Sequence, residues 1–539
     1  MSFDPIPFDV LGGLSNWAIV AGIATASIFL FLLVMSLLTR GASGPGWLVS
    51  QIGSCVHDWI STSPRRVFAL SMLTFREAWR RKIFAVGVIF VLLIMFAGWF
   101  LSSPGDQPDT QVKVLVSFVL TSISWLILPL VVLLACWGIP DDIKARSMHT
   151  VVTKPVYRSE IVLGRIFGYA MIGTVALVVM GAAGYLWLDR QVVDKDSRAS
   201  LTAKVPVYGN DIIWLDQQGQ PAESGINTGD VWEFRSYIPG NTKARATWVF
   251  DGVGEDYLRP NPETGDPELR LESSFQVFRS YIGDADRGIR ARYTFVNEDK
   301  DLRVPIAPFE VKEFHNGANI TTVPRTLPVR RGETVDLIDD LVKDGKLRVE
   351  VECLTSGQYL GMARPDLFIR LPEHHFAASY CKALVGVWMM MAMAVVLCVG
   401  WSCVVKGPVA TLASSVMLIV GKSFSGFFEE LAAGNVKGGG VLESMVRIYK
   451  HTTPNVELEE STGQTVIETI DAVPEAFLKV TQKLVPNFGS LDFTEYTANG
   501  FDVPFSAALL PGIALMVGHC LPWIFLAYVA LKYRELESK

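Results

Sequence analysis

Gly421-Lys422-Ser423 has the letters that end a phosphate-gripping loop, and it is the first place in this 539-residue chain to look for chemistry. Such loops carry another glycine five residues upstream and follow a strand and glycine-rich turn. Here that position is Val416, inside an apolar run of membrane length, so the triplet reads as a decoy. Ser356-Gly357-Gln358 carries part of an ATPase signature but falls in a β-patterned region expected outside the cell. Seven histidines (57, 149, 315, 374, 375, 451 and 519) show no metal-ligand spacing. His374 and His375 are adjacent, and neighbours on a strand point to opposite faces. His519 lies within an apolar run, where a functional role and a hydrogen-bonded packing role are both open. The cysteines at 55, 136, 353, 381, 398, 403 and 520 lack paired spacing, so neither a disulfide scaffold nor a structural metal is expected. The chain is not expected to be an enzyme by itself, and no cofactor of its own is implied.

Two charged segments have more informative spacing. Ile139–Arg165 joins two apolar runs through about 28 residues, with charges at both ends of a semi-apolar middle and Lys154-Pro155 as a break. A short surface helix and an elbow are expected there, a shape that suits docking into a partner's groove. In Pro64–Lys82, Phe68, Met72, Phe75 and Trp79 recur three and four apart, flanked by Arg65, Arg66, Arg76, Arg80, Arg81 and Lys82. That pattern predicts an interfacial amphipathic helix leading into the next apolar run.

The elements that position these segments follow from composition. Half of the residues are hydrophobic, 19% are charged, and the mean hydropathy is +0.32. A net charge of −6 gives no bias toward nucleic acid. A helix of roughly 20 apolar residues crosses a bilayer core. Trp17–Leu38, Ile83–Leu101, Val114–Trp137, Ile166–Leu188 and Ala383–Val405 qualify, and so does Phe505–Leu531 despite Pro511 and Pro522. Pro408–Phe427 is a shorter seventh candidate containing Lys422, which can snorkel to an interface. Arg40, Arg65, Arg66, Arg76, Arg80, Arg81 and Lys82 fill one connecting segment, and Lys144, Arg146, Lys154, Arg158 and Arg165 fill another. Lysine and arginine mark the inner side, so seven spans are expected with the N-terminus outside and the C-terminus cytoplasmic.

Residues 189–378 form a polar insertion large enough for its own core. Period-two alternation at 289–295, 347–353 and 367–371, and around Trp232 and Phe234, predicts strands with one buried and one wet face in an antiparallel, sandwich-like β domain outside the cell. One short helix is expected at Val335–Lys343, ahead of Gly345. A second polar region, 428–504, has 12 acidic and 5 basic residues, with helices expected near Val441–His451 and Glu475–Leu484. The expected organisation is an extra N-terminal span (1–40), an amphipathic region (41–82), spans two to four (83–188) with a coupling segment (138–165), and the β domain (189–378). Spans five and six (379–427), the outer helical region (428–504) and the last span with its tail (505–539) follow. The fold class is a helical polytopic membrane bundle bearing a large β-rich extracytoplasmic insertion.

Phe75-Arg-Glu-Ala-Trp-Arg-Arg-Lys82, Thr153-Lys-Pro-Val-Tyr-Arg-Ser-Glu-Ile-Val-Leu-Gly-Arg165, Leu484-Val-Pro-Asn-Phe-Gly489 and Lys532-Tyr-Arg-Glu-Leu536 occur in that order. Together they resemble the membrane (permease) subunits of ATP-binding cassette transporters, type-2 exporter class. Ser147-Met148 stands where the family has Gly-Thr, and the first span and the large β insertion are additions. The resemblance implies two permease copies or homologues pairing with two cytoplasmic ATPase subunits that bind the ATP. It implies a coupling interface at Asp141, Asp142, Lys144, Arg146, Lys154, Pro155, Arg158 and Gly164, and an elbow helix carrying Phe75, Arg76, Glu77, Trp79, Arg80 and Arg81. Partners are then the ATPase, the second permease and the lipid bilayer, with no nucleic acid, in a bacterial plasma (inner) membrane. The competing expectation is a membrane-anchored binding or envelope-assembly protein whose β domain captures a ligand. An ion-coupled carrier ranks last, because the six strongest spans hold no Asp or Glu.

Overall fold

Inside a bilayer a backbone must satisfy its own hydrogen bonds, which favours helix wherever apolar runs are long. Each apolar run here is helical in the computed structural model, which describes residues 8–80, 84–100, 108–145, 156–192, 201–226, 235–261, 265–280, 288–312, 319–329, 334–427, 440–451, 470–472, 476, 478 and 485–534. Helix α1 (Val10–Arg40) turns through Gly41–Ser43 into α2 (Gly44–Ile60). Then come α3 (Pro64–Trp79), α4 (Phe84–Phe100), α5 (Pro108–Lys144) and α6 (Arg158–Gln191). After the β region follow α7 (Phe376–Val404), α8 (Gly407–Ser423), α9 (Val441–Tyr449), α10 (Thr494–Ala498) and α11 (Leu510–Tyr533), the last entered through a π turn at Phe505–Leu509. Five helical stretches, beginning at Val10, Thr110, Arg158, Phe376 and Phe505, are long and apolar enough to cross a membrane. Two shorter apolar helices, Val86–Ala97 and Gly407–Ser423, match the remaining expected runs.

Helix α7 is the most enclosed, with Met389, Met390, Met391 and Val395 fully buried among α5, α6 and α11. By contrast α1 leaves Leu11, Ile23, Leu30 and Phe31 exposed along its length. It meets the last helix where Phe8 N donates to Ser506 O (3.2 Å) and Trp17 Nε1 to Gly518 O (3.1 Å). These contacts follow the same order in both segments, so α1 and α11 run parallel. The far end is fastened through α2, where Asp58 Oδ2 accepts from Tyr528 Oη (2.6 Å) and Lys532 Nζ (2.8 Å).

Alternating sequence gives strands, and two large antiparallel sheets enclose one apolar core. The five-stranded sheet contributes Leu269, Leu271, Leu367 and Ile369, and the seven-stranded sheet contributes Trp248, Tyr293, Phe295, Val349 and Val351. Tyr293 Oη donates to Ser273 Oγ across the sheets (2.6 Å). Strand Leu367–His375 continues directly into α7 at Phe376, and it pairs antiparallel with Thr202–Tyr208, Thr202 facing His375. The β region thus stands on a two-stranded stem.

Two expectations in this region are corrected. Val335–Lys343 is not helical: Thr334–Asp336 is a strand paired with Thr326–Pro328, followed by a turn. Asp336 Oδ1 accepts from the backbone N–H groups of Ile338 (2.9 Å) and Asp339 (3.1 Å) and Asp336 O from that of Asp340 (3.1 Å), a single capped turn that is not continued, because Lys343 and Lys346 pair backbone to backbone just beyond it. The polar face of strand Leu347–Cys353 is not wet. Glu350 and Glu352 are only 5% and 6% exposed, covered by Arg245, Arg292 and Arg303 from neighbouring strands. Helix α9 agrees with the expected Val441–His451 helix. Most of Glu475–Leu484, and Trp232 and Phe234, lie outside the described residues.

Candidate functional site

The amphipathic segment is α3, and it does not bury its aromatic stripe. The buried positions are Val67, Ser71, Thr74 and Ala78, a small-residue face laid along the start of α6. A side chain at Gly164 would place its Cβ 2.5 Å from Leu70 Cβ, and one at Gly168 would meet Thr74 Cβ at 2.5 Å. Glycine is therefore what lets the two helices touch. Phe68 and Trp79 face outward, and Arg65, Arg76 and Arg80 are exposed beside them.

Glu160, fully buried, joins the beginnings of both helices. Its Oε1 accepts from the backbone N–H of Ser63 (2.7 Å), the N-cap of α3, and from Arg66 Nε (2.9 Å); its Oε2 accepts from the N–H of Tyr157 (3.0 Å), the N-cap of α6. One carboxylate thus satisfies donors at two helix N-termini, where negative charge is favoured. Thr62 Oγ1 and Ser159 Oγ add a hydroxyl pair at 2.8 Å.

Arg165 closes the next layer. Its guanidinium binds Glu77 of α3 (2.9 Å) and Asp142 at the end of α5, uniting three helices. Of the sequence-selected coupling residues, Asp141, Asp142 and Lys144 therefore continue α5 rather than form a separate surface helix. Asp142 faces Arg165, Asp141 is half-buried, and Lys144 is exposed. Arg158 opens α6 half-buried, and Gly164 forms the contact with α3. Arg146, Lys154, Pro155 and Arg81 lie outside the described residues. On the elbow side, Phe75 stacks on Trp79 at 5.5 Å between ring centroids, Arg76 and Arg80 point outward, and Glu77 takes Arg165. Sequence reasoning did not select Glu160 or Arg165 as site residues, although both stood in the quoted run. The sequence signal for Glu160 is its place three residues after Tyr157 at the start of a helix, the glutamate position of a capping box.

A second, partly buried polar centre lies at the end of α8. Gly421-Lys422-Ser423 closes α8 instead of opening a helix, and Lys422 Nζ binds Asp492 Oδ2 (2.9 Å) and Ser124 Oγ (3.2 Å). Ser124 lies roughly 24 Å along α5 from its start and roughly 30 Å from its end at 1.5 Å per residue. Lys422 is thus paired within the protein. The segment carrying Asp492 folds back against the bundle, with Phe488, Leu491 and Phe493 buried and Phe488 N bonded to Gly421 O (2.9 Å). Farther along this segment, Asp502 takes Lys382 (2.8 Å) and His374 Nδ1 (2.7 Å) at the β stem, while His375 is the residue just before α7 and makes no side-chain cap to it. The two adjacent histidines are thus separated in role. His519 Nδ1 donates to Leu515 O (3.1 Å) within its own helix.

A scan of family models, a search of curated proteins and a search of solved structures each return no match to this chain.

Proposed function

We propose that this chain is the membrane-spanning permease subunit of an ATP-binding cassette transporter of the type-2 exporter class. A separate cytoplasmic ATPase supplies ATP hydrolysis, a second permease copy or homologue completes the pathway, and the cargo is unspecified. The observation that carries this reading is the Glu77–Arg165–Asp142 link. It ties the elbow helix, the helix entering the coupling segment and the helix leaving it into one block. A partner that pushes on residues 141–158 therefore moves α3, α5 and α6 together, as a stiff lever does. The Glu160 staple removes the remaining slack between α3 and α6. The parallel run of α1 and α11 agrees with an odd number of crossings, which puts the two termini on opposite sides. The basic residues of the α2–α3 region then lie with the coupling segment on the cytoplasmic side.

The deciding experiment is purification of the full chain from native membranes in mild detergent, with mass spectrometry of whatever accompanies it. Near-stoichiometric recovery of an ATPase carrying phosphate-loop and signature motifs supports the proposal. Recovery of none, even after cross-linking, overturns it and turns attention to ligands of residues 189–378. Asp141→Lys reverses a half-buried charge at the end of α5. In a reconstituted complex it should lower cargo-stimulated ATP hydrolysis, with the melting temperature of the variant checked beside it.

A further inference from the structure

A groove of about 530 Å³ opens between α4 and α5, lined by Leu93 of α4 and by Lys113, Ser117, Phe118, Trp125 and Leu126 of α5. From Lys113 to Leu126 it extends roughly 20 Å along α5 at 1.5 Å per residue. Its two ends differ. The far end, at Trp125 and Leu126, is apolar and open to the side, Trp125 being 65% exposed. At the near end Lys113 stands exposed in the second turn of α5, just before the apolar run that begins at Val114. Lys382, Lys422 and Lys532 are each taken by a carboxylate, whereas Lys113 makes no ion pair among the described residues. Among those residues no acidic side chain lines the groove. Ser117, one turn below Lys113, is unspent as well. Thr74, Thr174 and Thr411 return their hydroxyls to the carbonyl four residues back, but Ser117 forms no hydrogen bond among the described residues.

We infer that this groove seats one anionic diacyl phospholipid. Its phosphate lies at Lys113, a glycerol ester carbonyl accepts from the Ser117 hydroxyl, and one acyl chain runs past Leu93 and Phe118 to Trp125. The spacing suits that molecule. Lys113 and Ser117 are about 6 Å apart along the helix axis, and the headgroup band of one leaflet is about 5–7 Å deep. A hydroxyl without a partner is costly in apolar surroundings, and the ester supplies the missing acceptor. Two other occupants fit worse. A zwitterionic lipid brings a cation of its own to the Lys113 ammonium. A second copy of the chain, related by a two-fold axis along the bilayer normal, sets the same lysine at the same depth, so like charges meet with no acid in the lining to separate them. The inference requires only that the bundle be embedded in a bilayer and is independent of whether the chain transports anything.

The test uses the full chain reconstituted in vesicles of equal parts phosphatidylglycerol and phosphatidylcholine, with a photoactivatable diazirine on the acyl chain of one lipid or the other. After illumination and digestion, mass spectrometry counts lipid adducts on residues 93–126, which separates this groove from basic surfaces elsewhere. Phosphatidylglycerol adducts should exceed phosphatidylcholine adducts about fivefold, the selectivity of one cation near an anionic headgroup. Lys113→Gln should make the two nearly equal, and Lys113→Arg, which keeps the cation, should retain the preference. Leu93→Trp, which fills the groove, should lower labelling by both lipids. Unaltered melting of each variant verifies folding; if Leu93→Trp fails it, the Lys113 variants carry the test. Equal labelling by the two lipids in the natural chain overturns the inference. So does an unchanged preference in a folded Lys113→Gln, or a groove left unlabelled while other surfaces of the chain are labelled.

Discussion

Lys422 and Asp492 form a partly buried ion pair at 2.9 Å, joining the end of α8 to a segment that folds back against the bundle. The pairing explains how a lysine is tolerated in an apolar run and why the following chain is drawn inward. Removing one partner strands a charge where water is scarce. Lys422→Met or Asp492→Asn alone should therefore destabilise the bundle by about 3 kcal/mol, and Lys422→Met with Asp492→Leu should recover most of that loss. Thermal unfolding of the four proteins in one detergent forms the double-mutant cycle; additive losses would show that the two side chains are not coupled.

Gly164 tests the close approach of α3 to α6. Gly164→Val places side-chain carbons where Leu70 already sits, and overpacking of this kind costs about 1–3 kcal/mol. Leu70→Ala in the same chain should restore part of the melting temperature. A Gly164→Val protein that melts like the natural chain would rule out the contact.

Glu160 serves two helix N-termini at once. Glu160→Ala leaves the Ser63 and Tyr157 N–H groups and Arg66 without their acceptor and should cost about 3 kcal/mol or more. Glu160→Gln keeps an acceptor oxygen but loses the charge and should fall between. Cysteine cross-linking of α3 to α6 reads the same staple directly, with efficiency expected to drop in the order natural, Gln, Ala.

Asp336 gives the β region an acid-sensitive turn. Partial burial pushes its carboxyl up, but the backbone N–H of Asp339, the guanidinium of Arg325 and the N–H of Ile338 together hold it below the usual carboxylate range. A folded-state value below the unfolded one means the stabilisation is present above the unfolded value, about pH 4. It is lost as pH falls through the lowered folded value. Asp336→Asn should therefore be less stable than the natural chain at pH 7 and nearly equal to it near pH 2, by near-ultraviolet circular dichroism of the full chain. An equal deficit at both pH values would contradict the assignment.

Apolar run length was enough to read the helices, because a continuous apolar segment has few other ways to satisfy its backbone. Alternation likewise revealed strands at 289–295 and 347–353, since period two separates the faces of a sheet. The error at Val335–Lys343 has a local cause. Leu337, Ile338, Leu341 and Val342 suggest a helical repeat, but after one turn capped by Asp336 the backbone of Lys343 pairs with that of Lys346, which a continuing helix does not allow.

The charges show where sequence alone stops. Composition determined that the chain is apolar enough for a bilayer, that its basic residues cluster in two connecting segments, and that 189–378 is β-patterned. Only the tertiary structure decided which charge meets which. Arg165 and Glu77 lie 88 residues apart, Arg66 and Glu160 lie 94 apart, and Lys422 and Asp492 are separated by most of a polar insert. Helical and strand periods are properties of neighbouring residues and survive in the sequence as patterns. Ion pairing falls off steeply with distance in space and does not depend on separation along the chain, so its partners emerge only once packing has brought the helices together.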